Sequence, residues 1–332
     1  GKKNIMNYSL ILYDSRSGST FLSSILNQYS GILMLPETRM PYHILLDKNK
    51  VYNTNEKLNS LLDSIYQEKQ FLELNINRDE VLSAAVVNDY LTKEKVLEVI
   101  LRLYFKEYEC EDKEIILKIP APYYVLDQLL EFLKTMKVIH LVRDGRAVFY
   151  SKMSSKSLKK RSFEKNLLFA AVGWKRKVNI FNTYKGIKIN IRYEDLILDS
   201  EKEANKILDL INVSESGRLK NKKRSAYFKL IGKEQKEFHQ NITKDPKEIN
   251  PNKFLNNLSK GQIALYEWVA KDVLHEMGYK IYGENYSLFN NTVTVFFLFV
   301  KYLLHFLLSR SKLIFEAILE RRFQYKLRDK LI

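Results

Sequence analysis

Short apolar runs alternate with helix-length amphipathic stretches along most of the chain. Leu10-Ile-Leu-Tyr13 is a continuous apolar run of the kind that fills a parallel strand buried on both faces. Gly18 then allows a tight turn, and Ser19 and Thr20 open a helix that continues through Phe21, Leu22, Ile25 and Leu26. The same rhythm returns. Ile32-Leu-Met-Leu35 reads as a short strand followed by a loop and helix to residue 45. Ile115 to Ile119 reads as a strand, and Ala121 to Leu133 as a helix. Lys137 to Val142 is another buried-strand pattern, followed by a helical run, Ala147 to Ser151. Long helices and a strand at Ile187 to Ile191 come after it. Strands alternating with helices predict right-handed βαβ units and an α/β fold of three layers, α/β/α, around a mainly parallel sheet.

Residues 46–112 interrupt the rhythm with polar, Asn/Lys/Glu-rich helical patterning and read as an insertion over one side of the domain. Lys220 to Arg224 is a charge run suited to a solvated face, and Asp245 to Pro251 reads as a loop. The pattern predicts one domain over 1–284. From residue 285 the chain changes character. Thr292 to Leu308 is very apolar, is short for a bilayer span, and is interrupted by Lys301 and His305. The whole 285–332 tail carries eight basic residues against three acidic. Three readings stand for this hydrophobic, basic, helical tail: an interfacial anchor on an anionic membrane surface, an oligomer or core helix, or a true span.

Composition narrows the classes. The chain has 332 residues, enough for one large α/β domain plus an appendage. A single cysteine, Cys110, excludes an intrachain disulfide framework and is compatible with a reducing compartment. The five histidines show no metal-ligand spacing, so no metal is expected. His140 falls in a strand pattern and reads as core. A net charge of +16 favours anionic ligands or surfaces. A nucleic-acid partner is not expected, since no binding motif accompanies that charge. The first residues lead directly into a strand with no secretory pattern, while the absence of an initiating Met leaves an upstream segment open.

Two turns carry candidate chemistry. At the first, the N–H groups of a helix start and the side chains of Arg16, Ser17, Ser19 and Thr20 offer donors to a phosphate. The spacing is not that of an ATPase loop, which needs a second glycine and a lysine. At the second, Arg143 closes a strand and Ser151 follows eight residues later, about two helical turns on. A second phosphate fits between them, at the strand ends where open α/β sheets bind ligands.

Together these segments resemble the two nucleotide signatures of sulfotransferases that use 3′-phosphoadenosine 5′-phosphosulfate. Ile191-Arg-Tyr-Glu-Asp-Leu196, Trp174, and the region Asn252 to Tyr279 with its closing Gly-Tyr follow in the family's order, so the resemblance covers about residues 5–282. It implies a P-loop-like fold. It also implies that Arg16, Ser17, Gly18, Ser19 and Thr20 hold the 5′ phosphosulfate, with Phe21 near adenine or packed in its helix, and that Arg143 and Ser151 hold the 3′-phosphate. Lys253 matches a basic residue near the nucleotide. Lys118, at a strand end before Pro120, matches a catalytic lysine at the leaving oxygen, and Arg16 is the loop cation beside it. The histidine base of the phenol and steroid enzymes is absent, because Pro120 stands there. Pro36-Glu37-Thr38-Arg39 resembles the Glu-Thr-Arg segment of tyrosylprotein sulfotransferases, which makes Glu37 the general base and Arg39 a group that orients the acceptor or balances the carboxylate.

The resemblance thus implies an enzyme of the tyrosylprotein and carbohydrate branch. It would move sulfate from 3′-phosphoadenosine 5′-phosphosulfate to a hydroxyl of a glycan, glycolipid or tyrosine, leaving adenosine 3′,5′-bisphosphate, without a metal. The expected place is cytoplasmic, peripheral on the membrane, rather than the Golgi lumen, with a homo-oligomer left open. The rivals are a kinase-like nucleotide enzyme, which would need a loop lysine and a magnesium carboxylate, and an inactive membrane or nucleic-acid adaptor on the same fold.

Overall fold

A computed structural model describes residues 6–106, 113–120, 122–154, 166–214 and 248–283. It also describes the isolated positions 218, 227, 230, 296, 299, 300, 303, 304 and 307. Most of the 285–332 tail, the charge run at 220–224, and Cys110 lie outside the described residues.

Five described strands form one parallel sheet in the order β2-β3-β1-β4-β5. They are β1 (Asn7–Tyr13), β2 (Ile32–Met34), β3 (Glu114–Lys118), β4 (Lys137–Val142) and β5 (Lys188–Arg192). Ile11 is level with Lys118 on one side and Ile139 on the other. The chain lays β2 and β3 on one side of β1 and then β4 and β5 on the other. The crevice at the carboxyl end of β1 is therefore a topological switch point, where open α/β sheets take ligands.

Strand residues alternate between two cores. Leu10, Leu12, Leu33, Ile115, Leu117 and Val138 face one cluster, while Ile11, Tyr13, Met34, Ile116, Ile139 and Leu141 face the other. Each fully buried aliphatic side chain in such a sheet contributes roughly 1.5–3 kcal/mol. On the second face lie α1 (Ser19–Leu26), through Phe21, Leu22, Ile25 and Leu26, and a later helix over Ser200–Ile211. The first face is covered by α2 (Met40–Leu46) and by the helices of the 46–112 segment. These are α3 (Asn55–Ile65), α4 (Lys69–Leu72), α5 (Arg78–Ala84) and α6 (Lys93–Tyr104). Their apolar stripes, such as Leu58, Leu61, Leu62 and Ile65 in α3, merge with the sheet's core. Glu68, just after α3, reaches the loop that follows β2.

The helix expected over Ala121 to Leu133 is a 3₁₀ turn, Pro122–Val125, followed by the shorter α7 (Leu126–Phe132). The strand expected at Ile187 to Ile191 pairs one residue later, with Val142 level with Arg192. Beyond β4 come α8 (Gly145–Met153), α9 (Leu167–Thr183), α10 (Tyr193–Leu198), α11 (Ser200–Ile211) and α12 (Lys260–Glu276). A capping box at Ser259 and Gln262 starts α12. Helices α8, α9 and α12 form a third cluster around Phe149, Trp174, Val178, Tyr266 and Leu274. On the first face of the sheet His140 is buried, held by Asn190 and Tyr123 and stacked on Phe181, and burial pushes its imidazole down to about 3. Among the described residues no helix is long and apolar enough to cross a membrane.

Candidate active site

All five strands are parallel, so their carboxyl ends lie along one edge, and the candidate residues are delivered there from different turns. After β1 the backbone folds back on itself, with the Ser17 N–H donating to the Asp14 carbonyl at 3.1 Å. Arg16 has φ 72° and Gly18 φ 92°, both left-handed. An arginine there stores backbone strain of order 1 kcal/mol, a pattern found at functional turns. Gly18 is required twice over: its φ suits glycine, and a Cβ would lie 2.3 Å from the Tyr193 ring. It also forms the N-cap of α1 without a side-chain cap, and no acid occupies the first turn. The helix start is thus left open to an anion.

A polar network joins three strand ends. Lys118, fully buried at the end of β3, donates to Thr20 Oγ1 at 2.9 Å and lies 3.3 Å from Glu37 Oε2. The Tyr13 hydroxyl donates to the same carboxylate oxygen at 2.7 Å. Burial pushes the Lys118 ammonium down and Glu37 pulls it back up, leaving it below its ordinary value. Burial, and then Glu37, hold Tyr13 protonated well above the ordinary range, so it remains a donor. The Glu37 side chain is 28% exposed, which leaves it open toward solvent while its partner is sealed.

The loop that carries Glu37 is itself gripped from the 46–112 segment. Glu68 accepts from the Thr38 hydroxyl at 3.0 Å and from the Arg39 N–H at 2.6 Å. Burial raises the Glu68 carboxyl, and these donors oppose the rise.

The second turn gathers cations. Arg143 Nη1 donates to the Arg16 carbonyl at 3.0 Å, and its guanidinium stacks 4.7 Å from the Tyr193 ring centre. Arg16 Nε donates to Ser151 Oγ at 3.2 Å. The three residues singled out at the two turns therefore meet. Among the described residues no carboxylate forms an ion pair with Arg16 or Arg143. Burial, and then the charge of Arg143, lower the Arg16 guanidinium. Arg143 Nε is buried with no hydrogen-bond partner. Two facing guanidiniums and an orphaned buried donor fit a multiply charged anion such as a nucleotide phosphate.

Supporting residues hold that pair in place. Trp174 Nε1 donates to the Arg143 carbonyl at 3.0 Å. Glu194 accepts from the Asp144 N–H and from the Tyr279 hydroxyl, each at 3.1 Å. Under the loop, the buried Asp14 carboxylate accepts from Lys152 at 3.0 Å and Lys177 at 2.7 Å. Burial alone would raise its carboxyl, but the two ammoniums outweigh burial and hold it well below the usual range.

Two expected residues stand apart. Phe21 is buried in the α1 core and meets Tyr193 edge-on with ring centres 6.4 Å apart, so it is accounted for by packing. Lys253 is exposed on a 3₁₀ turn, Lys253–Asn256, and no described contact joins its side chain to either loop. Sequence reading missed Tyr13, Glu68, Lys177 and the role of Tyr193. Tyr13 carried a signal as the last residue of a strand pointing at the crevice, and Tyr193 as part of the Ile191 to Leu196 segment. Among the described residues no group of three His, Cys, Asp or Glu side chains is placed to hold a metal ion.

A family model described as "Sulfotransferase family" matches residues 14–216, more than half of the chain. Among solved structures, the sulfotransferase domain of the Synechococcus PCC 7002 olefin synthase matches with a TM-score of 0.52 and 20% identity. That match covers 81% of this chain and 97% of that one. The sulfotransferase domain from the curacin biosynthetic pathway gives 0.47 at 16% identity, covering 83% and 98%. Mouse sulfotransferase SULT7A1 complexed with PAP gives 0.37 at 12% identity, covering 82% and 90%. At these identities the first match speaks to the fold alone, and the other two carry no argument. No curated protein matches the chain.

Proposed function

The chain belongs to the sulfotransferase family, and from that premise we propose that it transfers the sulfuryl group of 3′-phosphoadenosine 5′-phosphosulfate to a hydroxyl of a glycan, glycolipid or tyrosine. The observation that carries this reading is the convergence of Glu37, Lys118 and Thr20 beside Arg16 and Arg143, neither of which forms an ion pair among the described residues.

The family generally draws its sulfuryl group from that nucleotide. In the transfer, the acceptor oxygen bonds to sulfur while the bond from sulfur to the bridging phosphate oxygen breaks. The acceptor's proton passes to Glu37, whose carboxylate is half-open and held in orientation by Tyr13. Lys118 and Arg16 meet the negative charge that grows on the leaving oxygen. Lys118 is well suited, since its ammonium is already stripped of water. Arg143, Ser151 and the open start of α1 bind and orient the phosphates, so that positioning rather than covalent chemistry supplies most of the rate. Glu68 positions the base by holding the Thr38 hydroxyl and the Arg39 N–H just after it in the chain.

Calorimetry tests the reading. Adenosine 3′,5′-bisphosphate should bind at least about tenfold more tightly than ATP with magnesium, the equivalent of one extra charge-assisted contact. Equal or tighter binding of ATP with magnesium would turn the site into that of a kinase-like enzyme.

A further inference from the structure

Beyond the strand ends, the two phosphate-binding turns grow from different cores. The first leads into α1, which packs through Phe21, Leu22 and Ile25 on the second face of the sheet. The second leads into α8, which packs through Ala147 and Phe149 in the cluster with α9 and α12. Described polar links join the two. Arg16 Nε donates to Ser151 Oγ, and Arg143 Nη1 donates to the Arg16 carbonyl. Both of these links use side chains read above as ligand contacts, so a bound phosphate competes for them. A third link runs beside them and uses none of those side chains. Asp14, two residues before Arg16, is buried, and so is Lys152, the residue after Ser151. Lys152 Nζ donates to Asp14 Oδ1 at 3.0 Å, and Lys177 Nζ of α9 donates to the same oxygen at 2.7 Å. The Asp14 carbonyl meanwhile closes the turn by accepting from the Ser17 N–H. One residue therefore ties the turn to itself through its backbone and to two helices through its side chain.

We propose that Asp14 is a positioning residue: through Lys152 it fixes the separation of the two phosphate-binding turns, and so selects a ligand whose two phosphates stand as on the 3′ and 5′ carbons of one ribose. This rests on the nucleotide reading above and deepens it. Burying three charges costs desolvation that apolar side chains of similar size would not. What a buried ion pair supplies instead is a directional contact that fixes register. Apolar packing alone would let α8 slide by fractions of an ångström against the first turn. A tether from residue 14 to residue 152, parallel to the one from 16 to 151, removes that freedom before the ligand arrives. Lys177 completes the arrangement, because it leaves the cluster with one net positive charge beneath an anion site.

Calorimetry on the full chain with adenosine 3′,5′-bisphosphate and with adenosine 5′-monophosphate tests the tether. Wild type should prefer the bisphosphate by at least about tenfold, the equivalent of charge-assisted contacts to the 3′-phosphate. Asp14→Asn keeps the size but leaves two ammoniums repelling each other across a neutral group. Lys152 then withdraws, and the preference should fall by about fivefold. Charge alone predicts the opposite sign, since loss of an acid near the phosphates favours the more highly charged ligand. A preference that rises or stays unchanged would therefore overturn the proposal. Asp14→Asn combined with Lys152→Met removes the tether at constant net charge and should show the same fall at a temperature where its melting curve shows it folded. Equal weakening of both ligands would make Asp14 a stabiliser of the turn and overturn its positioning role. Absence of any preference in the wild type would instead overturn the nucleotide reading, and the tether with it.

Discussion

Arg143 and Arg146 sit three residues apart at one strand-to-helix junction, in opposite circumstances. Arg146 is fully buried and enclosed by acids. Its Nε and Nη2 donate to the two Asp144 carboxylate oxygens at 2.9 and 2.6 Å, and Nη1 pairs with Glu267. Nη2 also reaches the Lys280 carbonyl, and the guanidinium lies against Phe254 and Tyr282. Burial pushes this guanidinium down, but Asp144 and Glu267 outweigh burial and hold it above its ordinary value. Arg143 instead has a backbone carbonyl, an aromatic face, a second arginine beside it and an orphaned Nε. A cation neutralised within the chain stabilises the fold. A cation with no carboxylate in direct contact keeps more of its charge available for a ligand. The first arginine reached from β4 has no described carboxylate in an ion pair with it, which supports the proposed phosphate-binding role, and the second ties the end of the domain to α8 and α12.

The largest effect should come from breaking the closed cluster. Arg146→Met leaves Asp144 and Glu267 buried without a counterion and should destabilise the fold by ~3–5 kcal/mol. Thermal or urea unfolding reads this directly, and a melting temperature near wild type would erase the contrast between the two arginines.

Next comes the pair that is sealed on one side and open on the other. Glu37→Gln keeps the shape and the contact with Tyr13 but removes a proton acceptor. Turnover with a hydroxyl acceptor should fall by ~10²-fold or more, while nucleotide affinity stays close to wild type. Near-normal turnover would move the base to another residue, and a parallel loss of affinity would make Glu37 a binding group.

Arg143→Ala sharpens the comparison from the other end. Binding of adenosine 3′,5′-bisphosphate should weaken by ~1.5–3 kcal/mol. Stability should change by less than about 1 kcal/mol, because relief of repulsion with Arg16 offsets the lost stacking on Tyr193. Unchanged affinity in calorimetry would remove Arg143 from the phosphate site.

The mildest signal concerns Asp14, an intermediate case of one buried carboxylate between two lysines. Its folded pKa lies below the ordinary 3.8, so its stabilising effect is complete above that value and is lost as the pH falls below it. Melting temperature should therefore be insensitive to this group down to about pH 4. Below that, this group alone should remove up to ~1.4 kcal/mol per pH unit. In Asp14→Asn that acid limb should flatten, and an unchanged limb would assign the loss to other carboxylates.

Much of the scaffold was legible because it rests on local patterning. The runs Leu10 to Tyr13 and Val138 to Val142 are apolar apart from His140 and buried on both faces, as strands of a parallel sheet covered on both sides are. Element ends were less legible. The segment Ala121 to Leu133 follows Pro120 and contains Pro122, which gives a 3₁₀ turn before the helix proper. Phe21 had two readings open to it, and neighbours from β1 and α10 placed it in the core.

By itself the sequence determined the strand-to-helix turns and the residues that sit on them: Arg16 to Thr20 after β1, Glu37 after β2, Lys118 at the end of β3, and Arg143 with Ser151 around β4. Which of these side chains pair was decided only by the tertiary structure. Lys118 lies 81 positions from Glu37 and 98 from Thr20, and the three meet because β3 lies between β2 and β1 in one parallel register. Two arginines that look alike in an Arg-Asp-Gly-Arg stretch divide into one ion-paired with two acids and one with no described ion pair for the same reason. Glu267 and the Lys280 carbonyl come from α12 and the residues beyond it, and of the two arginines they reach Arg146. Helix and strand periodicity is set by neighbours a few residues away. The neutralisation of a buried charge depends on groups brought from distant parts of the chain, and no local pattern records where those arrive.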